Sequence, residues 1–107
     1  MIIDAHTHIR LDGDLYSDEG SAEQLIASMN KAGIDKAMAF GSRNNSSIER
    51  LLDEIAPYPG RLYAIGAISP LSPMKPTPTM VEQFLIKKQI HGLKFYPGYE
   101  YFYPADD

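Results

Sequence analysis

Cysteine is absent from the 107 residues. Without thiols the chain has no disulfide framework and no thiolate metal site, so any metal must be held by His, Asp, Glu or a modified side chain. No stretch supplies the roughly 18 or more consecutive apolar residues of a membrane span. No basic region followed by an apolar run and a cleavage site opens the chain, so the cytoplasm is the expected compartment. Positive charge is in deficit as well: 10 Lys and Arg stand against 14 Asp and Glu, a formal net charge of -4. That balance gives no footprint for nucleic acid or for an anionic membrane, and favours a small-molecule substrate as partner. Internal repeats and low-complexity tracts are missing too, which excludes a solenoid. What remains is 44% hydrophobic and 22% charged, the balance of one soluble domain with its own core.

Short apolar runs alternate with amphipathic stretches. Met1-Ile2-Ile3 opens a β-branched strand, as in a buried parallel sheet. RLDGDLYSDEGS (10–21) reads as a substrate-side loop, and its acidic residues from Asp12 to Glu19 do not match the spacing of a calcium loop. Ser21 caps a helix from Ala22 to about Ala32, with Leu25, Ile26, Met29 and Ala32 at helical spacing and Gly33 as its stop. AMAF, closed by Gly41, is a second strand, and Ile48, Leu51, Leu52 and Ile55 define a second helix that ends before Pro57. RLYAIGAIS (61–69) is a third strand, and SPLSPMKPTPT (69–79) a surface connection in which a regular helix is not expected. A third helix from Met80 to about Gln89 buries Val81, Phe84 and Leu85, and a fourth strand runs from Ile90 to Tyr96. The order βαβαβαβ predicts an α/β fold, a parallel sheet with right-handed crossovers. Beyond it lies an aromatic loop whose Asp106 and Asp107 resemble a helix N-cap. The expectation is therefore the first half of something larger.

The first strand carries the chemistry. Asp4, His6 and His8 recur at every second position, which on a regular strand gives them one shared face and leaves Ile3, Ala5 and Thr7 the other. Two neutral imidazoles from one short strand can grip a single Zn²⁺ at roughly 2.0–2.1 Å, with a carboxylate nearby to orient or neutralise. The plainer reading is a pair of structural histidines at a strand end.

DAHTH (4–8), preceded by Ile2-Ile3, resembles the first-strand metal motif of the amidohydrolase superfamily, particularly its branch of predicted metal-dependent hydrolases that includes the aminocarboxymuconate-semialdehyde decarboxylase type. Gly92-Leu93-Lys94-Phe95-Tyr96-Pro97, followed by Phe102-Tyr103-Pro104 and two aspartates, is similar to that family's fourth strand and following loop. The resemblance implies a TIM (β/α)₈ barrel of about 250 residues or more with its active site at the C-terminal strand ends. Residues 1–107 would form its N-terminal half, a single partial barrel domain. His6 and His8 are implied as ligands of a divalent metal, commonly zinc, completed by histidines of the fifth and sixth strands and an aspartate of the eighth. Such a metal polarises substrate and activates water at neutral pH. The implied activity is hydrolysis or non-oxidative decarboxylation, incomplete in a chain without the later strands.

Other residues take secondary roles. Asp4 is expected as a supporting carboxylate behind the histidines. Lys94 is expected to bind substrate charge or pair with a carboxylate, and the family also uses a carboxylated lysine to bridge two metals. His91 precedes Lys94 by an odd separation, which on a regular strand places it on the opposite face, in a structural role. Tyr96, with Tyr99, Tyr101, Phe102 and Tyr103, would wall a pocket or pack under a following helix. Arg10 and Arg43, just past strands, would contact an acidic substrate or remain solvated. The alternative to an enzyme is a non-catalytic module that self-associates or binds a small molecule. Four parallel strands leave two edges and one apolar face open, so a homo-oligomer or association with a missing half-barrel is expected. Two copies pairing edges would bring their histidines to one rim.

Overall fold

The computed structural model describes residues 1–11, 20–41, 47–68, 77–98 and 103. Within them seven elements alternate: β1 (Ile3–His8), α1 (Ala22–Ala32), β2 (Lys36–Phe40), α2 (Ile48–Ile55), β3 (Leu62–Ala67), α3 (Pro78–Ile86) and β4 (Ile90–Lys94). The strands form one sheet in the order β1-β2-β3-β4, with every neighbouring pair parallel. This is the expected α/β arrangement. The acidic run Asp12–Glu19, Arg43, most of the proline-rich connection, Tyr99, Tyr101, Phe102, Asp106 and Asp107 lie outside the described residues.

Each helix begins on a hydroxyl cap. Ser21 and Gln24 form a capping box at α1, and Gly33 (φ 72°) supplies the left-handed residue that ends it. Ser47 caps α2 through the Arg50 amide. Thr77 caps α3 through the Met80 amide, with Pro78 in the first turn. The proline-rich segment thus ends inside a helix, contrary to expectation, because proline's missing N–H costs nothing in a first turn. α3 is also displaced from the expected Met80–Gln89. Its Val81 is buried and Phe84 packs against the core, but Leu85 is 40% exposed.

One face of the sheet makes the core. Ala37, Ala39, Leu62, Ala64 and Ile90 meet Ala22 and Met29 of α1 and Ile48, Leu51 and Ile55 of α2. Small residues on β2 and β3 let the helices approach closely, and Gly66 continues this: a Cβ there would stand 3.0 Å from Ile48 Cδ1. Arg61 ties the start of β3 to the α1–β2 turn, donating to Asp35 O, Ile34 O and Asn30 Oδ1. The other face carries Lys36, Met38, Tyr63 and Ile65, all half-buried.

Two irregularities decide which side chains reach that second face. Between Asp4 and Thr7 the β1 register advances three residues against two on β2, so Asp4 pairs with Ala37, Thr7 with Ala39 and His8 with Phe40. Paired residues in a parallel ladder share a face. Asp4 therefore lies on the helix-covered side with Ala37, away from the histidines, and the single shared face expected for Asp4, His6 and His8 is corrected. A second irregularity between Ile90 and Leu93 has the same effect on β4. His91 packs edge-on against Tyr63 at 4.9 Å while Lys94 pairs with Ala67, two β3 residues of one face. His91 and Lys94 thus share a face despite their odd separation, because an extra residue resets the alternation.

Candidate functional site

At the C-terminal ends of the strands His6 and His8 turn their rings toward each other. Their Nε2 atoms are 3.0 Å apart, and the ring centroids 5.1 Å. His8 Nδ1 stands 3.0 Å from the Gly41 carbonyl. A carbonyl only accepts, so Nδ1 carries the hydrogen and Nε2 presents its lone pair. The His6 amide, out of the ladder at the bulge, donates to Asp4 Oδ1 at 2.9 Å. Asp4 thereby stabilises the backbone turn that presents His6, even though its side chain starts from the opposite face.

Lys94 arrives from the far edge of the sheet. Three strand spacings separate β1 from β4, about 14 Å in a flat sheet. The long lysine side chain spans much of that gap, and its Nζ lies 3.4 Å from His6 Nε2. The ammonium sits 5.2 Å from the ring centroid of Phe40 and 5.2 Å from that of Tyr96, both inside cation–π range. His6 has its pKa lowered below the ordinary 6.5, chiefly by desolvation, then by the charges of Lys94 and His8, with Asp4 opposing. The neutral imidazole, the form that binds a metal, is favoured.

Four of the residues marked by sequence therefore converge: His6, His8, Lys94 and Tyr96. Arg10 does not join them among the described residues. It is exposed beyond β1, and its amide donates to the Gly20 carbonyl at 2.8 Å. Reading the sequence missed Phe40 and Gly41, which close β2 beside the histidines. The Phe40 ring lies 4.6 Å from His6 and 5.4 Å from His8. The available signal was a single large aromatic ending an alanine-rich strand next to H-x-H.

The donor chemistry suits a divalent metal in part. A tetrahedral ion with Zn–N near 2.0–2.1 Å separates its donors by about 3.3 Å, close to the 3.0 Å between the two Nε2 atoms. Among the described residues no group of three or more His, Asp or Glu is placed to hold a metal. The pair supplies two donors.

Four parallel strands in sequential order, with a polar cluster at their C-terminal ends, are compatible with a segment of a barrel-type fold. Among solved structures the chain is similar to a probable 2-pyrone-4,6-dicarboxylic acid hydrolase from Acinetobacter baumannii, determined with citric acid bound; the TM-score is 0.61, at 17% identity over 86% of this chain and 36% of that one. At that identity the likeness is one of fold alone, an α/β arrangement that matches a fragment of a TIM-barrel hydrolase. The chain thus spans little more than a third of that hydrolase's length. No family model matches the sequence, and neither does any curated protein.

Proposed function

We propose that residues 1–107 form the N-terminal part of an amidohydrolase-like site, of the hydrolase or non-oxidative decarboxylase kind found in the aminocarboxymuconate-semialdehyde decarboxylase branch. The observation that carries this reading is the convergence of two Nε2 atoms at 3.0 Å, with His8 Nδ1 anchored on the Gly41 carbonyl. His6 and His8 would hold a divalent metal, zinc by donor type. When bound, that metal supplies Lewis-acid polarisation and acidifies water. The residues of this chain hold and orient. Gly41 fixes the His8 tautomer so that its Nε2 lone pair faces the site. His8 Nε2 then accepts from His6 Nε2 across the 3.0 Å contact, and to hold an ion His6 would have to give up that hydrogen. Lys94, held between the Phe40 and Tyr96 rings, offers a cation to an acidic group on a small substrate. The neighbouring hydrolase is described for a dicarboxylic acid and holds citric acid, which suits that role for Lys94. Asp4 supports through the His6 amide, and Arg10 is a peripheral substrate contact at most.

Zinc titration of the 107-residue chain by calorimetry, beside His6→Ala/His8→Ala, tests the reading. Binding by the natural chain that is lost in the double variant is expected. Weak binding, equal in both, overturns it. The second reading, a non-catalytic module that self-associates or binds a small molecule, then takes its place, in keeping with a described donor set of only two imidazoles.

A further inference from the structure

We infer that Phe40 is a positioning residue for His6 and His8. The inference rests on the reading of that pair as metal ligands. Phe40 is only 6% exposed, yet it stands on the sheet face where Lys36, Met38, Tyr63 and Ile65 are each half-buried. Three polar groups stand against its ring: His6 at 4.6 Å, His8 at 5.4 Å and the Lys94 ammonium at 5.2 Å. A buried aromatic in contact with two imidazoles and an amine can serve as a platform for them.

The two histidines depend on it unequally. His8 is held at Nδ1 by the Gly41 carbonyl as well as by the ring. His6 touches His8, Lys94 and Phe40. In a metal-bound state His6 would lose the first two contacts, since its Nε2 would have to present a lone pair and the Lys94 ammonium would be repelled. The ring contact needs neither the Nε2 hydrogen nor the amine and would remain in both states. Phe40 is thus what keeps the His6 ring pointed at the site while its polar neighbours rearrange. Without the ring, His6 gains rotamer freedom that metal binding must remove.

Losing a group that orients a ligand typically weakens metal binding by about 10–100-fold. A tilted ring contact is weaker than a hydrogen bond, so Phe40→Leu is expected at the low end, about tenfold. Zinc calorimetry on the natural chain, Phe40→Leu, Phe40→Tyr and His6→Ala/His8→Ala measures this, with circular dichroism to confirm folding. Phe40→Tyr keeps the ring and is expected to bind as the natural chain does. In metal-free protein the His6 imidazole proton resonances should move in Phe40→Leu as the ring current is lost, and stay near their natural positions in Phe40→Tyr. Phe40→Met, which keeps volume without the ring, replaces Phe40→Leu if that variant does not fold. Zinc binding that is absent from the natural chain, or unaffected by the double histidine variant, removes the metal reading and this inference with it. Binding lost in the histidine variant but within twofold of natural in a folded Phe40→Leu or Phe40→Met, with unmoved imidazole resonances, overturns the role of Phe40 alone.

Discussion

The 3.4 Å approach of Lys94 Nζ to His6 Nε2 sets two would-be cations side by side. Like charges at that separation disfavour the protonated imidazole, and the lowered pKa of His6 reflects this after the larger part played by desolvation. The consequence for stability has a definite sign. Between the ordinary value of about 6.5 and the lower folded value, the unfolded chain binds more protons, so His6's contribution is full above 6.5 and is lost as pH falls through that window. Lys94→Gln removes the second-ranked cause and should move the His6 midpoint upward, read from imidazole proton shifts against pH. Because His6 is largely exposed, the movement should shrink at high salt. A midpoint that does not change on Lys94→Gln would mean that solvent already screens the amine.

The bounds of α1 were readable because capping is local chemistry: Ser21 announces the helix, and Gly33 ends it. Strand phase was harder to read. The bulges at Asp4–Thr7 and Ile90–Leu93 arise from pairing with β2 and β3, which no neighbouring residue in the sequence encodes. Asp4 and His91 were therefore assigned to the wrong faces, whereas His6, His8 and Lys94, marked by residue type, came together as a cluster. The end of α3 was misplaced for a different, local reason. Lys88 takes φ 55°, and the amides of Lys88 and Gln89 donate to Leu85 and Phe84 at 3.0 and 2.9 Å, a Schellman ending with lysine where glycine is usual. A left-handed lysine costs roughly 1–2 kcal/mol, partly offset by the greater unfolded entropy that glycine would bring. Lys88→Gly should stabilise the fold by about 0.5–1 kcal/mol in urea denaturation. An equal or lower midpoint would show that the lysine side chain makes compensating contacts.

The exposed large apolar residues gather at the two margins of the sheet. Met1, Ile2 and Ile3 lie along β1; Leu93 and Phe95 lie along β4 and just past it; Met80, Leu85 and Ile86 lie on α3 and Tyr103 beyond. Among the described residues, α1, β2, α2 and β3 expose none of comparable size. Such a distribution fits a sheet whose neighbours continue on both sides, and it agrees with a chain that matches 36% of a barrel-fold hydrolase. Within the four-stranded sheet β1 and β4 each pair on one side only. An unpaired parallel strand flanked by apolar side chains is a template for another strand. We therefore propose that the chain alone associates with a second copy through these margins; two sets of four parallel strands make up the eight of a closed barrel. Light scattering should give a mass well above the 11.9 kDa of one chain. Ile3→Lys with Leu93→Lys places charges on both edges and should return the protein to that mass without unfolding it, since both positions are already exposed. A natural chain that stays monomeric at high concentration would overturn the proposal. A natural oligomer that survives both lysines would move the contact off the strand edges, onto the sheet face or α3.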